Sequence, residues 1–142
     1  MGQAADVVHA KLTAFNVQDA EEIRALLDPE VEWAALGRLC RGPDQVIGLF
    51  SAFWDAFPDL KISYARVVED GSTVITDARA EGTHEGTLRT PGGDIPATGK
   101  RVNLPYLERF EVEDSLIVSG NLIFDRVELL EQLGAMPVPA PA

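Results

Sequence analysis

The chain has 142 residues, 46% of them hydrophobic and 25% charged, which fits one globular domain with a single core and argues against wholesale disorder. Twelve Lys and Arg against 23 Asp and Glu leave a net charge of −11, which repels phosphate backbones and anionic bilayers and weighs against nucleic-acid and membrane partners. The lone cysteine, Cys40, precludes an internal disulfide or a multi-cysteine zinc site; no signal peptide or membrane-length apolar run is visible, so a cytoplasmic protein is expected.

Val8, Leu12 and Phe15 recur at helical spacing, and Asp19 with Glu22 three residues later forms a capping box for a second short helix carrying Ile23, Leu26 and Leu27. A strand is expected around Val31 and Trp33, then a loop punctuated by Gly37 and Gly42-Pro43. The longest helix carries Val46, Ile47, Phe50, Phe53, Trp54 and Phe57 and ends at Pro58-Asp59. From Leu60 the period changes to two. Ile62, Tyr64 and Val68 lead to a hairpin turn at Asp70-Gly71, a return strand starts at Thr73, and the segment 90–100 reads as a loop. A further strand reaches Val112, Glu113-Asp114-Ser115 turns into a last strand from Leu116 to Phe124, and Asp125 with Glu128 caps a short final helix. Helices followed by antiparallel strands read as an α+β fold whose helices cover one face of a curved sheet, leaving a pocket.

Parity selects the side chains facing that pocket. On the strand from Thr73, Asp77, Arg79, Glu81 and Glu85 form the solvated row. The inward row is Val74, Thr76, Ala78, Ala80, Gly82 and His84, small residues ending in an imidazole. On the next strand Glu108 stands on the apolar row between Tyr106 and Phe110, where a carboxylate needs a compensating partner.

The segments AFNVQDAEEIRALLDPEVEW, GPDQVIGLFSAFWDAFPDL, GTHEG, IPATGK and FDRVELLEQLG, in this order, resemble the SnoaL-like polyketide or ester cyclases over nearly the whole chain to Gly134. The resemblance implies the architecture of nuclear transport factor 2, ketosteroid isomerase, scytalone dehydratase and limonene epoxide hydrolase. That architecture is a cone-shaped α+β barrel, a strongly curved mixed or antiparallel sheet wrapped around N-terminal helices, commonly dimeric and with a deep apolar pocket. Residues 1–134 would form this one domain and 135–142 a Pro/Ala-rich tail. Characterised cyclases of the family close a ring by intramolecular aldol addition without metal or cofactor, using an aspartate near the end of the last strand. That position falls on Leu122, and the family's nearby histidine, inward histidine and glutamine fall on Gly120, Glu108 and Tyr106. Only the His84 of GTHEG is unchanged. The Asp-Arg-Asp pattern of limonene-type epoxide hydrolysis falls near Ala80, Ala78 and Leu122, and Trp33 to Leu36 offer no ketosteroid-isomerase acid.

The candidate residues each admit two readings. His84 is a general base or a satisfied structural histidine, Glu108 the replacement acid or half of a buried ion pair, and Tyr106 an oxyanion donor or an ordinary strand aromatic. Trp33, Trp54, Phe110 and Leu122 are candidate substrate contacts, although aromatics at helical spacing read first as core. Asp125 reads as a helix cap, and two distant histidines with outward-facing Glu81 and Glu85 point to no metal. Two functions follow: a cofactor-independent cyclase, isomerase or dehydratase acting on a small apolar polyketide-like or terpenoid-like carbonyl compound through His84, Glu108 and Tyr106, or a non-catalytic dimer binding a hydrophobic small molecule. A homodimer is expected from family likeness and from an outer sheet face bearing Leu107, Ile117 and Ile123.

Overall fold

The computed structural model describes residues 2–135. Of the Pro/Ala-rich tail, 136–142 lie outside the described residues. Helix α1 (Gln3–Asn16) turns a stripe of Ala4, Val8, Lys11 and Phe15 to the core. No side chain at its own start caps it; instead the Glu69 carboxylate, from a strand far along the chain, accepts from the Gly2 and Ala5 amides at 3.0 and 2.7 Å, satisfying amides that the first turn leaves free. At its other end the Asn16 side-chain amide bonds both the N–H and C=O of Ile62. These two clamps lay α1 along the sheet. Asp19 caps α2 (Ala20–Ala25) by accepting from the Glu22 amide, as the sequence pattern predicts.

Strand β1 (Leu27–Ala35) pairs with a short β2 (Arg38–Arg41), and α3 (Gly42–Ala56) follows with Pro43 in its first turn. Strands β3 (Lys61–Asp70), β4 (Thr73–Thr83), β7 (Arg101–Glu113) and β8 (Leu116–Phe124) complete a six-stranded sheet of order β2-β1-β8-β7-β4-β3. All neighbours are antiparallel except β1 and β8, which run parallel. A separate hairpin, β5 (Leu88–Thr90) and β6 (Gly93–Ile95), interrupts the segment read as a loop, and α4 (Arg126–Gln132) is capped by Asp125. Gln132 at its end bonds the backbone N–H and C=O of Asn103, continuing the ladder of β7 beyond the reach of β8.

Two bulges correct the parity expected from sequence. In β3 the register slips between Tyr64 and Arg66, so Val67 packs against the core and Val68 is exposed. In β8 it slips between Ile117 and Ser119, so Ile117 is fully buried rather than on the outer face. Strand β2 and the β5–β6 hairpin escape sequence reading because three or four residues with polar composition carry too little periodicity.

Gly120 lies against the face of the Trp33 indole, and a Cβ there would overlap the ring. Gly48, within α3, has nothing within 4 Å of where its Cβ would lie. Gly120→Ala should therefore destabilise the fold by about 1–3 kcal/mol through overpacking, whereas Gly48→Ala should stabilise it by about 0.5–1 kcal/mol. Chemical denaturation of the two variants checks both signs.

Candidate active site

The inward row of β7 builds the site. Val102, Leu104, Tyr106 and Glu108 succeed one another along one wall of a cavity of about 90 Å³, because alternate strand residues share a face. Leu122 and Phe124 of β8 line it beside them, and Ile62, Ala80 and Gly82 line it from the β3–β4 side. Phe15, Phe50, Phe53 and Phe57 cover it from α1, α3 and the residue after α3. The walls are apolar except where Lys11, Tyr106 and Glu108 meet them.

Glu108 is 3% exposed, and its compensation comes from two directions. Lys11, reaching down from α1 and equally buried, places Nζ 3.7 Å from Oε1; the Trp33 indole N–H donates to Oε2 at 3.2 Å. The first distance is an ion pair too long for a hydrogen bond. Burial pushes the Glu108 pKa up, with Lys11 and then Trp33 opposing the rise. Four aromatic rings surround the ammonium: Phe15 and Phe50 at 4.9 Å from Nζ, Trp33 at 5.5 Å and Phe110 at 5.7 Å. The Tyr106 hydroxyl, two residues before Glu108 on the same face, is driven far up in pKa by burial and by the nearby carboxylate. Tyr64 is affected in the same way, and its buried hydroxyl has no hydrogen-bond partner.

The structure separates His84 from this group. Glu108 pairs with Thr76, eight residues before His84, which puts the imidazole roughly 26 Å further along β4 at about 3.3 Å per residue. His84 faces inward as parity predicts, but it is fully buried and does not line the cavity. Its Nδ1 accepts from the Thr98 amide at 3.2 Å and lies 2.9 Å from the Thr98 hydroxyl; its backbone bonds Gly99 and Lys100; and its ring packs on Phe57. An accepting Nδ1 places the ring proton on Nε2, and burial lowers the pKa, opposed by the Gly86 backbone. His84 thus anchors the segment entering β7, and it does not meet Glu108 in the cavity although both stand on the inward rows of adjoining strands.

Among the other candidates, Leu122 lines the cavity, whereas Trp33, Phe110 and Trp54 stand behind its wall. Trp33 and Phe110 meet edge to face at 5.6 Å, and Trp54 packs on Phe15 at 5.2 Å. The aromatic wall is supplied instead by the four phenylalanines, three of which, Phe50, Phe53 and Phe57, the helical spacing assigned to the core. The residue the sequence reading missed is Lys11. The signal was present: Lys11 lies three residues after Val8 and four before Phe15, on the apolar stripe of α1. Among the described residues no group of three or more His, Cys, Asp or Glu forms a metal-binding cluster.

Comparison with solved structures places this arrangement on a known scaffold. The chain is similar to a protein of Jannaschia sp. CCS1 described as a SnoaL-like polyketide cyclase (TM-score 0.83, 21% identity, covering 95% of this chain and 94% of that one). It is also similar to IdmH of Streptomyces antibioticus, described as a polyketide cyclase (TM-score 0.77, 29% identity, 94% and 99% covered). TerC, co-crystallised with polyporic acid, has the same fold (TM-score 0.75, 18% identity, 94% and 99% covered). Comparison with curated proteins gave no match. The family model of the SnoaL-like polyketide cyclases matches residues 5–133, so a curved sheet enclosing an apolar cavity with one buried carboxylate is here the product of a chain that belongs to the SnoaL-like polyketide cyclase family.

Proposed function

We propose that the chain is a cofactor-independent acid/base enzyme acting on a small apolar carbonyl compound of polyketide or terpenoid type, with Glu108 moving the proton. Ring closure, isomerisation and dehydration share the step this site supports, removal of a proton beside a carbonyl. The observation that carries the reading is the position of Glu108. It is the register partner of Leu122, the position to which family resemblance assigns the cyclase aspartate, so the carboxylate has moved one strand across while still meeting the same cavity. A carboxylate whose pKa is raised by burial is a stronger base, when ionised, than one in water. Tyr106, neutral and on the same row, is placed to donate its hydroxyl to the substrate oxygen. The relative TerC, crystallised with polyporic acid, supports a small-molecule occupant. At about 90 Å³ the cavity is far below the ~300–1,000 Å³ of pockets for drug-sized ligands, so the reading favours a compact substrate, or movement of Phe53, Phe57 or Leu88 to admit a larger one.

Val68, Ile75, Leu107 and Ile123 are exposed on the outer face of the sheet, with Val68 paired to Ile75 and Leu107 to Ile123. We assign this patch to a homodimer interface. Light scattering at micromolar concentration should give twice the mass of the chain; the mass of one chain would remove the assignment.

For the chemistry, an enolisable cyclic ketone in D₂O should exchange its α-protons in the presence of the protein. Glu108→Gln should reduce the rate by about 10²–10⁴-fold, the usual contribution of a general base, whereas folded His84→Ala should retain it. Since the base must be ionised, the rate should rise with pH through a midpoint above the ordinary glutamate value of 4.5. A bound ketone that never exchanges would identify a binding protein.

A further inference from the structure

We propose that Lys11 anchors its ligand covalently, forming an imine with the carbonyl carbon of the compound held in the cavity. The inference rests on the reading of this cavity as a carbonyl-binding site and specifies how the carbonyl is held. Lys11 lines the cavity with a side chain 4% exposed, whereas the other two lysines of the chain, Lys61 and Lys100, are exposed. Its Nζ lies 3.7 Å from the Glu108 carboxylate, within reach of proton exchange with it once a ligand enters.

At rest the four rings and Glu108 surround the Lys11 side-chain nitrogen. Attack requires the neutral amine, which forms when the ammonium passes one proton to Glu108, 3.7 Å away. The amine and carboxylic acid so formed are the two groups imine formation requires. The Lys11 lone pair attacks the carbonyl carbon, the C=O π electrons move to oxygen, and Glu108 supplies the proton that oxygen takes. The attached nitrogen then returns a proton to Glu108. Glu108 delivers that proton to the hydroxyl, which leaves as water as the C=N bond forms, giving an iminium cation beside a carboxylate. The charge pair is the one present at the start, and no co-reactant is consumed. Removal of an α-proton by Glu108 converts the iminium to an enamine, which makes the α-carbon a nucleophile for ring closure. This accounts for a lysine at a position where the helix otherwise buries apolar side chains.

The test is reductive trapping of the full-length chain with cyclohexanone and cyanoborohydride at neutral pH, followed by peptide mass mapping. The expected result is a mass increment of cyclohexanone less one oxygen atom on Lys11, at roughly ten-fold or more the level on Lys61 and Lys100, lost in Lys11→Arg and slowed in Glu108→Gln. Equal labelling of all three lysines, or an unlabelled Lys11 in the wild-type chain, overturns the proposal, and the wild-type map decides this even where a variant fails to fold. Thermal unfolding with cyclohexanone and no reductant separates the two readings. A raised Tm with no Lys11 label keeps the cavity as a carbonyl site and removes the anchor, and neither a raised Tm nor a label removes both.

Discussion

One buried ion pair organises the interior. Each of two opposite charges taken out of water costs several kcal/mol, and at 3.7 Å their attraction recovers only part of it; Trp33 and the four-ring cage recover more. A pair of apolar side chains of similar volume would hold α1 to the sheet at least as well. Stability alone therefore does not account for Lys11 and Glu108, both of which line the cavity wall.

Neighbouring features depend on this pair. Trp33 reaches Glu108 because Gly120, its register partner across β1 and β8, has no side chain to hold the indole away. The space beside Gly120, the position that family likeness assigns to a histidine, is thus filled by the tryptophan ring. Lys11 reaches down because α1 is fixed at both ends, by Glu69 and Asn16, so that its stripe cannot rotate. Leu122, opposite Glu108, keeps the remaining wall apolar and keeps the carboxylate's surroundings dry.

Much of this was legible in the sequence. The main helices, both helix caps, the two hairpins joining β3 to β4 and β7 to β8, and the inward rows of β4 and β7 follow from periodicity and turn chemistry. Glu108 was legible as a charge on an apolar row. Its partner carries the same signature on α1, but strand parity and helix periodicity each describe one element, and only the packing of α1 on the sheet joins them. The bulges at Ala65 and Val118 were not legible, since one extra residue in a ladder leaves no mark in an alternating apolar pattern, and each reversed the face of the residues beside it. His84 shows a different limit. Parity placed it inward, yet parity is silent on distance along a strand, and eight residues carry it past the cavity to Thr98.

The central claim is that Lys11 and Glu108 form one energetic unit inside the core. A double-mutant cycle on stability at neutral pH, with Lys11→Met, Glu108→Leu and both together, measures it directly. The account predicts that each single substitution costs about 3–5 kcal/mol by stranding a buried charge, and that the double substitution costs far less than their sum, with a coupling of about 2 kcal/mol or more. Costs that add to within about 0.5 kcal/mol would contradict it.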